Sequence, residues 1–397
     1  MVERKETMED LISFKDKNLI KVLTGIRRCG KSTMFELFQN YLKDIGVEEE
    51  QIISVNLEDG DFREVRTSKK LYEYVEGRLI KDKKNYVFLD EVQQVDNFQE
   101  CVDWLYAKKN VDLYITGSNA FLLSGELATL LSGRYVEIKM QPLSFKEYVS
   151  AYLGNTNMSE LYMNYLQNSS FPGTLELKRK KDIRIYLEGI YNTILLKDIV
   201  TRKKISDPTM LQSLVEFVFY NIGNMCSSTK IANSMTSSGR KISVPTVESY
   251  LSVLTDSFIL YKVNRYDIKG KQYLATGSKY YVADIGLRYF LLGTRHTDMG
   301  HILENIVYLE LLRRGYEVYV GKVGDAEVDF IAINSEGETY YQISQTVMEE
   351  QTLKRELSSL DAIKDHNPKY LLTMDYTPLT SYNGIKQINV LEWLTKG

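Results

Sequence analysis

The stretch Gly25-Ile26-Arg27-Arg28-Cys29-Gly30-Lys31-Ser32-Thr33 constrains this chain more than any other. It has the spacing Gly-x4-Gly-Lys-[Ser/Thr], follows the short apolar run Ile20–Leu23 and precedes the helical pattern Met34–Leu42. Strand, glycine loop and helix in that order form a phosphate-binding unit. Gly25 and Gly30 let the backbone wrap a phosphate with its N–H groups, at the positive end of the following helix. Lys31 is then spaced to reach the β- and γ-phosphates, and Ser32, with Thr33 beside it, to offer a hydroxyl to Mg²⁺. The expectation is a nucleoside triphosphate site with ATP and Mg²⁺ as cofactors.

A second element lies about sixty residues downstream, where Tyr86-Val87-Phe88-Leu89 ends in Asp90-Glu91. Four consecutive apolar residues suit a strand buried on both faces of a parallel sheet. Carboxylates at its C-terminal end would lie beside the phosphate loop, since ligands of open α/β sheets bind outside the strands' carboxyl ends. Asp90 is the expected metal holder and Glu91 the group that polarises the attacking water. The plainer alternative is that both acids only open the next helix, where negative charge is favoured.

A third strand, Val111–Thr116, is followed by Gly117-Ser118-Asn119. A polar side chain there would touch the γ-phosphate or the water, and Ser118 and Asn119 are both candidates. Arg134 opens a further strand after Gly133, as an arginine finger on a neighbour's nucleotide or as an ordinary surface cation.

Together with Gln141–Tyr148, Phe171–Thr174, Glu304–Val318 and Glu327–Phe330, these segments make the chain resemble a known family. It is similar to the prokaryotic AAA-like P-loop ATPases that bear a C-terminal domain of unknown function. Those are relatives of archaeal ATPases with a winged helix and a restriction-endonuclease-like tail. The resemblance implies that Lys31, Ser32, Asp90 and Glu91 bind and hydrolyse ATP.

At 397 residues the chain has room for two or three domains, and 44% hydrophobic with 26% charged residues is ordinary for a globular protein. No apolar stretch is long enough to span a bilayer, and the N-terminus lacks a signal-peptide core. Cys29, Cys101 and Cys226 have no metal-ligand spacing, which with the missing leader points to the cytoplasm. A net charge of −3 means that any nucleic-acid site must be a local basic patch.

Beyond Pro142 the periodicity turns helical, and a lid over the ATPase core is the natural assignment, with Phe171-Pro172-Gly173 as a turn between its helices. Lys178–Lys181 is a solvated helix start or a phosphate contact. From Asp207-Pro208 onward, helices are expected at Met210–Tyr220, Thr229–Met235 (capped by Ser228 or Thr229) and Val244–Phe258. Strands are then expected at Ile259–Arg265 and Lys279–Val282. Three helices and a hairpin make a winged helix, whose third helix would enter a DNA groove with Thr246 near its start. Arg240 and Lys241 precede that helix, while Lys269 and Lys271 fall in the wing, placed to meet phosphates. The alternative is that the module binds protein.

The last hundred residues read as a helix, Leu303–Arg314, and strands Tyr316–Val320, Glu327–Ile333 and Thr339–Ser344. This order resembles restriction-endonuclease-like nucleases, which need acids on the helix and on two strands, plus a lysine. Glu304 and Asp329 match the first two acids. Gln342-Ile343-Ser344 stands where an acid, any residue and a lysine belong, so the site reads as degenerate, with Lys322 the one lysine expected to reach in.

The sequence therefore predicts an α/β protein: a P-loop NTPase parallel sheet (1–144), a helical lid (145–204), a winged helix (205–300) and a nuclease-like α/β domain (301–397). The expected partner is DNA, with a protein partner and a homo-oligomer as further expectations and no membrane. The rivals are a regulatory ATPase that binds protein and an ATP-gated, metal-dependent nuclease.

Overall fold

In the computed structural model the first apolar run, Ile20–Thr24 (β1), is buried at every position. The structure describes residues 2–118, 131, 133–152, 154, 157–201, 205–293, 298–378 and 380–396, without the side chains of 196, 197, 201, 275 and 276. β1 sits inside a sheet with Ile52–Asn56 (β2), Asn85–Asp90 (β3), Val111–Gly117 (β4) and Tyr135–Lys139 (β5). Their order is β2-β3-β4-β1-β5, and every neighbouring pair is parallel.

The apolar run of β3 is explained by burial on both faces. Val87 and Leu89 point into one core, against Leu71, Val75, Cys101, Val102 and Leu105 of the helices Ser68–Glu76 and Phe98–Tyr106. Phe88 points the other way, stacked on Tyr114 at 4.8 Å and edge-on to Phe35 at 5.2 Å and Phe38 at 6.2 Å. Phe35 and Phe38 belong to the helix Lys31–Asp44 and fix it on that face. A fully buried ring such as Phe38 contributes about 2–3 kcal/mol. Because all five strands run the same way, their carboxyl ends open on one edge, and β4 brings the ends of β1 and β3 within reach of one ligand.

Contacts divide the chain into two compact units, Met1–Pro142 with Asp256–Phe258, and Leu143–Thr255 with Ile259–Gly397. The segment read from sequence as a lid on the ATPase core thus groups with the helical trio and the tail. Its helices are Phe145–Ser150, Met158–Asn168 and Lys180–Asn192, the last continuing as a π-helix, Thr193–Thr201. Phe171-Pro172-Gly173 does form a tight turn, at the start of a 3-10 segment Pro172–Glu176.

The trio is Pro208–Tyr220, Ser228–Ser237 and Val244–Asp256. The cap of its second helix is Ser227, which accepts from Lys230 N, one residue before the two expected candidates. The hairpin follows as Leu260–Asp267 (β6) and Gln272–Val282 (β7), so β7 starts well before Lys279. Sequence misses that half because Gly277, at φ +77°, lies in an irregularity where Arg265 pairs with Leu274 but Asn264 with Ser278.

Nor is the hairpin a free wing. It belongs to an eight-stranded sheet with Glu317–Val323 (β8), Ala326–Asn334 (β9), Gly337–Ser344 (β10), Lys369–Thr373 (β11), Thr380–Tyr382 (β12) and Ile385–Asn389 (β13). The order is β12-β13-β11-β10-β9-β8-β6-β7, and β6 joins β8 by parallel pairing of Arg265–Asp267 with Val320–Lys322. The helix Met299–Arg313 is buried at every residue from Ile302 to Leu311. Its Asn305 side chain accepts from Val282 N and donates to Val282 O, holding the helix against β7. Among the described residues no helix is long and apolar enough to cross a membrane.

Candidate functional site

The loop between β1 and the helix Lys31–Asp44 is shaped by its two glycines. Gly25 has φ +148° and Gly30, the helix N-cap, has φ +105°. A Cβ on Gly25 would stand 1.9 Å from the Met140 carbonyl oxygen, so only glycine lets the loop pass the end of β5 so closely. The loop is braced there: Arg4 donates to Cys29 O and Gln141 O, and Cys29 Sγ donates to Met140 O. Burial raises the Cys29 thiol above the usual range, which keeps it inert. Lys31 is buried in the loop's centre, donating to Gly25 O at 2.9 Å and Ile26 O at 3.3 Å, with its ammonium 3.8 Å from Glu91. Arg27 pairs with Glu58, just beyond β2.

Asp90 ends β3 and is buried. Burial pushes its carboxyl above the usual range, against hydrogen bonds from the exposed Ser32 hydroxyl and from Thr116. Thr116, on β4, is a residue that sequence reasoning passed over. Its hydroxyl donates to Asp90 and accepts from Glu91 N at 2.8 Å, fixing both acids. Glu91 adopts the left-handed backbone conformation, φ +53°, sparsely used by a residue with a side chain. Gln93 was missed as well; it donates to Glu91 Oε2 and to Ser118 Oγ, linking the β3 acid to the end of β4. The signal for Thr116 was its place as the last polar residue inside a strand beside the acidic one.

Lys31, Ser32, Asp90, Glu91 and Ser118 are thus brought together, while Thr33 lies half-buried in the helix's first turn. Asn119 lies outside the described residues. Arg134 is not part of this set. It precedes β5, its carbonyl accepting from Ile20 N at the amino end of β1, and its guanidinium pairs with Asp103 at 2.7 Å.

Comparison with known proteins fits this geometry. A family model described as an AAA domain matches residues 17–149, and one described as a domain of unknown function matches 159–298. An uncharacterized protein of Haemophilus influenzae is 39% identical, over 99% of this chain and 98% of its own length. The chain belongs to the AAA-domain P-loop ATPase family. An uncharacterized protein of Methanocaldococcus jannaschii is 32% identical over 88% of this chain and 79% of its own length. Among solved structures, the Walker-type ATPase PABY2304 of Pyrococcus abyssi aligns with a TM-score of 0.50 at 15% identity, covering 73% of this chain and 96% of that one.

In this AAA-domain protein the tail residues also converge, with one addition. Glu304, on the helix Met299–Arg313, accepts from Lys279 Nζ at 2.6 Å and from the Tyr281 hydroxyl. Lys279 also pairs with Glu327 at 2.8 Å. Burial works against its ammonium, but Glu304, Asp329 and Glu327 outweigh that and hold Lys279 above the ordinary lysine range. Asp329 accepts from Ile343 N, and burial with the Glu304 charge pushes its carboxyl well above the usual range. Gln342 donates to Glu356 at 2.8 Å, and its oxygen accepts from Ser359 Oγ and Asp329 N. The lysine in this cluster is therefore Lys279 of β7 rather than Lys322.

On the helical trio, Ser243 caps the third helix: its hydroxyl accepts from Thr246 N and meets the Thr246 hydroxyl at 2.7 Å. Arg240 and Lys241 are exposed just before it. Val247, Tyr250, Leu251 and Leu254 face the core, which leaves Glu248 and Ser249 outward. Lys269 and Lys271 are exposed in the turn between β6 and β7.

Proposed function

We propose that this AAA-domain protein binds ATP with Mg²⁺, hydrolyses it, and uses the change at that site to control a DNA-binding body made of the helical trio and the C-terminal sheet. The observation that carries the ATPase reading is the convergence of Lys31, Ser32, Asp90 and Glu91 at the carboxyl ends of β1 and β3. Ser32 and Asp90 are oxygen donors of the kind that hold a hard divalent cation. That cation, when bound, neutralises charge on the β- and γ-phosphates. Lys31 exchanges its two carbonyl partners for phosphate oxygens. The N–H groups of the loop and first helical turn receive the phosphate, and Glu91, oriented by Gln93, accepts the proton of the attacking water. Ser118, tied to Gln93, serves as a sensing residue at the γ-phosphate.

The exposed Arg240, Lys241, Lys269 and Lys271 support DNA as the partner, through phosphate contacts beside a helix that presents Thr246 and Ser249. The outward Glu248 on that helix favours the second reading, in which a basic or neutral protein surface docks there. Arg134, at the amino end of β5, would serve as a finger only on a neighbouring subunit's nucleotide, so turnover that rises with protein concentration would support a homo-oligomer. The deciding experiment is the ATPase rate with and without duplex, forked and single-stranded DNA, in the parent and in Lys31→Ala. Turnover that is lost in Lys31→Ala and stimulated by DNA supports the proposal. Turnover indifferent to every DNA, together with no salt-sensitive DNA affinity, moves the partner to protein.

A further inference from the structure

The nuclease-like arrangement of the tail implies a divalent cation held by Glu304, Asp329 and the residue at 342. The donors present do not fit one. One Glu304 oxygen, Oε1, already accepts two hydrogen bonds, from Lys279 and from Tyr281. An ionised carboxylate oxygen has about two lone-pair sites, so this one is filled. Asp329 Oδ2 accepts one hydrogen bond, from Ile343 N. The Gln342 carbonyl, the neutral oxygen that would complete the set, is turned to Ser359 and to the Asp329 backbone, and its amide is fixed on Glu356. Among the described residues no group of three or more His, Cys, Asp or Glu is placed to hold a metal.

We infer that the Lys279 ammonium occupies the cation position of this site, making the tail a metal-independent body that binds without cutting. The physical argument is competition for the Glu304 Oε1 oxygen. Lys279 Nζ lies 2.6 Å from Glu304 and 2.8 Å from Glu327. A bound Mg²⁺ needs its oxygens at about 2.0–2.1 Å in near-octahedral array. Placed on Glu304 it would sit against a like charge, in a buried setting where screening is weak. A nuclease lysine stands beside its metal, whereas Lys279 is bonded to the helix acid itself and is tethered there: its strand, β7, is held to the helix by Asn305 on Val282 and to the segment before the second helix of the trio by the β-bridge of Cys226 with Ser278. The lysine therefore joins three parts of the second unit, the hairpin, the helix Met299–Arg313 and β9, through its ion pairs with Glu304 and Glu327. The inference is independent of the ATPase reading, since none of these residues belongs to the nucleotide site.

The test counts Mn²⁺ ions bound by the full chain without nucleotide, using calorimetry and electron paramagnetic resonance. The set is the parent, Asp329→Asn, Lys279→Met, Lys279→Arg, and Lys279→Met with Asp329→Asn. The parent, Asp329→Asn and Lys279→Arg should bind the same number of ions. Lys279→Met should gain one further ion, lost again in the double variant. The parent should leave supercoiled plasmid intact in Mn²⁺. A parent ion that Asp329→Asn removes, or nicking that Asp329→Asn abolishes, overturns the inference, and this comparison stands even if Lys279→Met does not fold. A folded Lys279→Met that gains no ion also overturns it.

Discussion

Replacing Gly25 with alanine adds one methyl group, yet the structure makes it one of the most damaging substitutions available near the nucleotide site. The new Cβ would lie 1.9 Å from Met140 O and 2.9 Å from Met140 C, and real Cβ atoms essentially never approach within 3.0 Å. Loop and strand end must therefore part by more than an ångström. They cannot do so cheaply, because Met140 N donates to Thr24 O, Cys29 Sγ to Met140 O, and Arg4 clamps Cys29 O and Gln141 O together. The backbone at φ +148° adds strain of about 1–3 kcal/mol for any residue with a side chain, and each net hydrogen bond lost adds about 1 kcal/mol. A total of about 3–5 kcal/mol follows for the first unit, enough to lower its melting temperature by roughly 10 °C. The loop moved in this way also misplaces the phosphate cradle, and an error of about 1 Å in such positioning costs about 100-fold in activity. Gly60→Ala is the control, because its added Cβ meets nothing within 4 Å. Differential scanning calorimetry and binding of a fluorescent ATP analogue provide the readouts. Gly25→Ala with parent-like melting and nucleotide affinity within a few-fold of the parent would refute the reasoning.

Three other outcomes are expected. Glu91→Gln should retain nucleotide binding and slow hydrolysis by about 100-fold or more, measured as single-turnover phosphate release, because the amide no longer accepts the water's proton; unchanged turnover would remove Glu91 from that role. Charge reversal at Arg240, Lys241, Lys269 and Lys271 should weaken DNA binding and flatten its salt dependence in fluorescence anisotropy, as fewer counterions are released; an unaltered salt slope would exclude this face. The third outcome concerns Asp329, whose folded-state carboxyl is raised by burial and by Glu304, so the native state holds its proton longer than the unfolded chain. Its contribution to stability is full at low pH and is lost as pH rises toward the folded-state value. Asp329→Asn, which keeps an acceptor for Ile343 N, should therefore gain in melting temperature relative to the parent from pH 5 to pH 8, and a gap that narrows over that range would contradict the assignment.

The sequence by itself determined the glycine loop and the acidic strand end because each is contiguous in the chain. Gly25 to Thr33 lie within one loop and one helical turn, and Asp90-Glu91 end an apolar run whose double burial is written in its composition. The parallel sheet follows from such runs, since each must be covered on both faces. The helices of the second unit were readable for the same local reason.

Tertiary structure decided what depends on neighbours far apart in the chain. Thr116 and Gln93 count only because β4 lies beside β3. The hairpin looked like a wing because its link to β8 is a short parallel pairing at Arg265–Asp267 that no local pattern signals. Lys279 looked like one more strand residue, and its partners Glu304, Glu327 and Asp329 come from a helix and a strand that follow it in the chain. Periodicity reports which face of an element is buried. Which charge meets which inside that core is set by strand order and register, and these exist only in the folded chain.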